Sequence, residues 1–262
     1  MRRLNQFTGP FILRRMKSEV LRELPPKTEN VRRVELETEQ RKLYLAAVVD
    51  AREKLRAAKP EDKMTVFAVL MRLREICCDP RLVADNWTGS SAKLEACLEL
   101  VTEAVAGGHR ILLFSQFTSM LELLAKRLDA EGVSHFTLQG STPKPVRAEQ
   151  VRRFNQGEAD VFLISLRAGG TGLNLTAADI VIHYDPWWNL AAQNQATDRA
   201  YRIGQRNPVQ VYRLIAQDTI EEKIVELQQA KQSLADTVTG GADGAILSMN
   251  PEQLLQLLGE EA

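Results

Sequence analysis

The chain has 262 residues, 44% hydrophobic and 26% charged, and its 34 basic and 34 acidic residues cancel to zero net charge. That size admits one large domain or two small ones, the composition is that of a globular protein, and the neutral balance argues against a nucleic-acid binder held by overall charge. No run of 18 apolar residues suggests a membrane span, the Met1-Arg2-Arg3 start lacks the apolar run of a secretory signal, and Cys77, Cys78 and Cys97 have neither zinc-ligand spacing nor the even number of a disulfide framework. A reducing cytoplasm fits.

Residues 1–33 carry nine Lys or Arg against three Asp or Glu, and residues 217–262 carry two against nine. Such asymmetry marks either a basic binding face or two unrelated solvated surfaces. Residues 1–90 read mostly as helix. Leu24-Pro25-Pro26-Lys27 breaks the chain, and 30–36 has the pattern of a strand. Amphipathic helices are predicted over 38–59 and 63–78, the second with Val66, Val69, Leu70, Leu73 and Ile76 at helical spacing. A linker rich in turn residues covers 85–91.

Beyond it, strands and helices alternate. Helices are predicted at 92–106, 117–130, 143–155, 190–201 and 219–235, and strands at 110–114, 134–138, 160–165, 179–184 and 208–215. Thr219-Ile-Glu-Glu222 reads as a capping box. Short apolar strands between helices indicate an α/β fold with a parallel sheet covered on both faces. Ligands bind such sheets at the carboxyl ends of the strands, which directs attention to the loops after Phe114, Leu138, Ser165 and Tyr184.

Ser165-Leu-Arg-Ala-Gly-Gly-Thr-Gly-Leu-Asn-Leu175 holds three glycines in four positions. These let backbone N–H groups approach an anion, or simply make a tight turn. Ser115-Gln116 and Gly140-Ser141 stand before helices, where hydroxyls and amides suit a phosphate or serve as ordinary caps. Trp187 and Trp188 could stack on bases or brace a neighbouring helix, the brace being favoured. In Gln195-Ala-Thr-Asp-Arg-Ala-Tyr-Arg-Ile-Gly-Gln205, read as helical, Arg199 and Arg202 are three apart and share a face. Two planar cationic forks there suit the oxygens of one phosphate, or a solvated surface. The scattered histidines His109, His135 and His183 read as structural.

In this order the segments resemble the C-terminal half of a Swi/Snf-type ATPase of helicase superfamily two. Residues 111–121, 165–175 and 195–205 are similar to that family's motifs IV, V and VI. Phe11-Ile-Leu-Arg-Arg15 and Leu24-Pro-Pro-Lys27 resemble its exit from the first lobe, Leu73-Arg-Glu-Ile-Cys-Cys-Asp-Pro80 its approach to the second, and Asp218-Thr-Ile-Glu-Glu-Lys223 its helix crossing back. Gln139 replaces a usual Asp, and Leu190 a usual Pro.

The resemblance implies a RecA-like three-layer sheet at 91–217, after a linker and helical protrusion at 1–90 and before bracing helices and a tail at 218–262. It implies ATP with Mg²⁺ bound mainly by a first RecA-like lobe in cis. Arg199 and Arg202 would be catalytic arginine fingers. Gly170, Gly172, Asn174, Gln195 and Asp198 would line the nucleotide. Ser115, Gln116, Gly140, Ser141, Ser165, Arg167 and Trp187 would meet the backbone of double-stranded DNA without reading its sequence, and Arg14, Arg15 and Lys17 would lie near the hinge. A DNA-bound protein is a possible target, a membrane is not expected, and the location would be cytoplasmic, with the nucleoid if prokaryotic. No GxxxxGK[ST] and no Asp-Glu dipeptide occur. The phosphate cradle and acidic Mg²⁺ motif are therefore expected in another lobe, with no hydrolysis by this chain alone.

Overall fold

A computed structural model describes residues 24–166, 168, 172–235 and 249–259, with the side chains of 231–235 excepted. The expected hinge residues Arg14, Arg15 and Lys17, and the site candidates Arg167 and Gly170, lie outside the described residues.

Six parallel strands form one sheet in the order β1-β6-β5-β2-β4-β3. They are β1 (Lys27–Val34), β2 (Ile111–Ser115), β3 (His135–Leu138), β4 (Val161–Ser165), β5 (Ile180–His183) and β6 (Val209–Ala216). The described helices are α1 (Thr38–Ala57), α2 (Lys63–Cys78), α3 (Ala92–Ala106), α4 (Thr118–Ala130), α5 (Lys144–Asn155), α6 (Leu190–Thr197), α7 (Ile220–Ala235) and α8 (Pro251–Leu257).

The strands β2, β4 and β5 are buried at every residue, which explains their continuous apolar sequences. Successive side chains leave opposite faces. Ile111, Leu113, Val161 and Leu163 pack against α3 and α4, while Leu112, Phe114, Phe162 and Ile164 pack against Phe154 of α5 and Ala196 of α6. These are the three layers expected. A further apolar cluster joins α1, α2, α7 and α8 through Tyr44, Leu55, Leu73, Ile224 and Leu254.

Three boundaries differ from expectation. The strand placed at 30–36 begins at Lys27 and pairs in parallel with β6, Lys27 opposite Val209. The segment 1–90 therefore contributes a strand to the sheet as well as helices. The capping network at 218–222 is shifted: Thr219 Oγ1 accepts from Glu221 N–H at 3.2 Å, and the Glu222 carboxylate accepts from Asp218 N–H at 2.9 Å.

The third difference is in motif VI, where α6 stops at Thr197, four residues short of Tyr201. A continuing helix would use the Arg199 and Ala200 carbonyls. Instead Leu175 N–H binds Arg199 O at 3.0 Å, and Gln205 Nε2 binds Ala200 O at 3.2 Å. Gly204, at φ +103°, then reverses the chain in a conformation that favours glycine.

Candidate functional site

The sheet changes direction at β2: the chain passes to β3 and β4 on one side, then to β5 on the other. A buried knot sits at this switch point. Asp185, just after β5, accepts from Ser115 Oγ at 2.6 Å and from Gln116 N–H at 3.2 Å. From α2, Arg74 Nη2 reaches Asp185 Oδ2 at 3.3 Å and the Pro186 carbonyl at 2.5 Å. Its guanidinium lies 4.1 Å from the Trp188 ring centre and 5.5 Å from that of Phe117. Burial raises the Asp185 pKa, opposed by Arg74 and the Ser115 hydrogen bond.

Two serines expected at a DNA backbone, Ser115 and Ser165, are both buried. Ser115 is fully buried, and its hydroxyl belongs to Asp185. Ser165, its register partner on β4, is 3% exposed, and its hydroxyl accepts from Ala168 N–H at 3.2 Å. Both hydroxyls are taken up by partners within the chain. Both brace the loops that follow their strands. Gln116 is half-buried. Gly140 and Ser141 are exposed at the tip of a turn closed by Thr142 Oγ1, which accepts from Gln139 N–H at 3.0 Å.

The tandem tryptophans lie beside each other, ring centres 5.9 Å apart. Trp187 is half-buried, its backbone N–H donates to Gln193 Oε1 of α6 at 3.3 Å, and its backbone carbonyl accepts from Gln228 of α7. Trp188 packs under Arg74 and into the helical cluster.

The arginine turn forms a second centre. It runs back along β5, from Thr197 beside His183 at the strand's end towards Ala178 before its start. The Leu175 N–H bond to Arg199 O seats it against the glycine-rich connection, bringing motifs V and VI together. Gly172 there is exposed, with φ +59°. Asn174 is exposed, and its carbonyl accepts from Asn155 Nδ2 at 2.8 Å. Gln195 is exposed and Asp198 half-buried.

Arg199 and Arg202 therefore lie on a turn and not on one helix face. Arg202 is exposed, whereas Arg199 is only 7% exposed and its Nε and Nη2 have no hydrogen-bond partner among the described residues. Burial lowers the Arg199 pKa, and the charge of Arg202 lowers it further while Asp198 opposes.

Sequence reasoning missed the supports. Gln205 uses both ends of its amide: Nε2 donates to Ala178 O at 2.7 Å and to Ala200 O, while Oε1 accepts from Arg206 and Asn207 N–H at 2.8 and 2.9 Å. Arg74 stood in a recognised segment and Asp185 directly after a predicted strand, but nothing local signalled a partner 111 residues away.

Comparison with known proteins agrees with this architecture. Residues 92–204 match the helicase conserved C-terminal domain, and residues 1–82 match the SNF2-related domain. The putative ATP-dependent helicase/translocase YwqA of Bacillus subtilis is 39% identical over 263 residues, covering 97% of this chain and 28% of the relative. Two Sulfolobus solfataricus structures are similar. The SWI2/SNF2 ATPase core in complex with dsDNA has a TM-score of 0.76 at 30% identity, covering all of this chain and 56% of that one. The SWI2/SNF2 ATPase C-terminal domain has a TM-score of 0.74 at 27% identity, covering 90% of this chain and 100% of that one. The chain spans about a quarter of the length of the curated relatives it matches. With motifs IV, V and VI folded around one parallel sheet, the chain belongs to the Swi/Snf-type ATPases of helicase superfamily two, as their C-terminal RecA-like lobe.

Proposed function

We propose that this chain is the arginine-supplying half of a double-stranded-DNA-dependent ATPase and translocase. The observation that carries the reading is Arg199, a nearly buried cation with two nitrogens that have no hydrogen-bond partner among the described residues, on the same turn as Arg202. Burying a charge without a partner is unfavourable, and a like charge adds to the cost. Phosphate oxygens would offset both, and the planar fork fits them. These residues therefore suit one wall of a triphosphate site.

Arg199 and Arg202 would reach the γ-phosphate from this side. Gly172, Asn174, Gln195 and Asp198, with Gly170 by sequence, would border the nucleotide. Mg²⁺, held by the first lobe, would neutralise phosphoryl oxygens from the opposite wall. At the carboxyl ends of β2 and β3, Gln116, Gly140 and Ser141 would meet one DNA strand, joined by Trp187 and, by sequence, Arg167, with Ser115 and Ser165 holding the loops from beneath. Phosphate contacts of this type fix register without reading bases. Hinged closure of the two lobes would link the centres.

The test is ATP hydrolysis with and without a Walker-bearing first lobe joined to this chain. The isolated chain should be inactive and the pair stimulated by duplex DNA. Arg199→Ala or Arg202→Ala should lower the paired rate by about 10³–10⁵. Full activity in Arg202→Ala would refute the finger role.

A further inference from the structure

His183 closes β5 beneath the arginine turn. Its Nε2 lies 2.9 Å from Thr197 Oγ1, the ring stacks on Phe114 at 5.6 Å, and the residue is 1% exposed. Thr197 is the last residue of α6. Its carbonyl accepts from the N–H groups of Ala200 and Tyr201, both at 3.1 Å. One imidazole–hydroxyl bond thus sets the position of the residue on which the turn is built.

The protonation state follows from the surroundings. Burial, helped by the charge of Arg213, lowers the His183 pKa to about 3 and holds the ring neutral. A neutral imidazole has one N–H, and Nδ1 has no partner among the described residues. A proton on Nδ1 would leave a buried donor unmet, which native structures avoid more strictly than an unmet acceptor. A proton on Nε2 leaves only a lone pair bare. Thr197 Oγ1 then accepts from the ring and donates to Gln193 O at 3.4 Å.

We propose that His183, as the Nε2–H tautomer, is a positioning residue for the arginine pair, fixing through Thr197 the place from which Arg199 and Arg202 act. The geometric part stands on this chain alone, and only its kinetic consequence rests on the phosphate-facing reading of the arginines. A histidine that merely filled space would be replaceable by any side chain of similar volume.

Nitrogen-15 shifts of the labelled chain should show Nε2 protonated and Nδ1 bare. The opposite tautomer overturns the proposal. His183→Gln can place an amide N–H where Nε2 stands, whereas His183→Asn is too short and His183→Leu has no donor. Amide exchange at Ala200 and Tyr201 should stay near parental in the Gln variant and rise about ten-fold in the other two, the scale of one lost hydrogen bond. Protection of Leu113 and Ile182 should persist.

If a ring substitution also loosens those strands, Thr197→Val deletes the hydroxyl at matched size and must accelerate the same two amides. Equal exchange in every variant overturns the proposal. Joined to a first lobe, the Asn and Leu variants should lose about ten-fold in kcat, with KM held and with rescue by Gln, because a displaced arginine weakens the transition state more than binding. Faster turn exchange with unchanged kcat would keep the geometry and refute the role of the arginines.

Discussion

Arg74 and Asp185 meet across 111 residues of sequence with neither side chain exposed to solvent. Through this contact the helical cluster of α1 and α2 holds the loops after β2 and β5. Asp185 also anchors Ser115 and the Gln116 N–H, so one carboxylate organises both loops.

Breaking a buried ion pair strands the remaining charge. Asp185→Ala should therefore destabilise the chain by about 3–5 kcal/mol in urea denaturation. Arg74→Met together with Asp185→Asn should cost less than the sum of the two single changes, with a coupling of about 0.5–3 kcal/mol. Simple additivity would show that the contact carries no energy.

Arg199 should behave in the opposite sense. Two of its nitrogens have no hydrogen-bond partner among the described residues, so Arg199→Met should leave thermal stability unchanged or raise it by about 1 kcal/mol. Tripolyphosphate should raise the parental Tm and do so less in this variant. A clear loss of stability in Arg199→Met would show that the side chain already has its partner.

The pH dependence of stability should carry the signature of His183. Its folded pKa near 3 lies below the ordinary 6.5, so between these values the unfolded chain takes up a proton that the folded chain refuses. The contribution is complete above pH 6.5 and drains as pH falls towards 3, by up to about 1.4 kcal/mol per unit. Between pH 7 and pH 5 the parent should lose about 2 kcal/mol more than His183→Gln. Parallel stability curves would contradict a neutral buried ring.

The three thiols should be silent in the native state. Cys77, Cys78 and Cys97 are free and fully buried, and burial pushes Cys77 and Cys97 up to about 12 and Cys78 well above its usual value. Only thiolates react readily. A disulfide-exchange dye should therefore label none of them until the chain is unfolded, and then all three. Fast labelling of native protein would reveal opening of the α2–α3 region.

The sheet was legible because β2, β4 and β5 are short apolar runs between turn residues, and burial on both faces leaves no other composition. The arginine turn was over-read as helix. Ala200, Tyr201 and Arg202 tolerate a helix, and nothing local reveals that the carbonyls of 199 and 200 are claimed by Leu175 and Gln205. The burial of Ser115 and Ser165 was not legible either. Their burial depends on Asp185 and on Ala168, contacts made by the fold. Arg74 was invisible as a site residue because its partner lies just past β5, 111 residues ahead.

The pairing of β1 with β6 has a consequence for any shortened form of the chain. Val209 and Val211 are apolar and buried, and the backbone of β6 is satisfied on its outer side by residues 27–34. A polypeptide beginning at Thr38 would bare that row of peptide groups, an invitation to intermolecular strand addition. Oligomers should form in such a truncation, and adding back a peptide of residues 27–34 should disperse them.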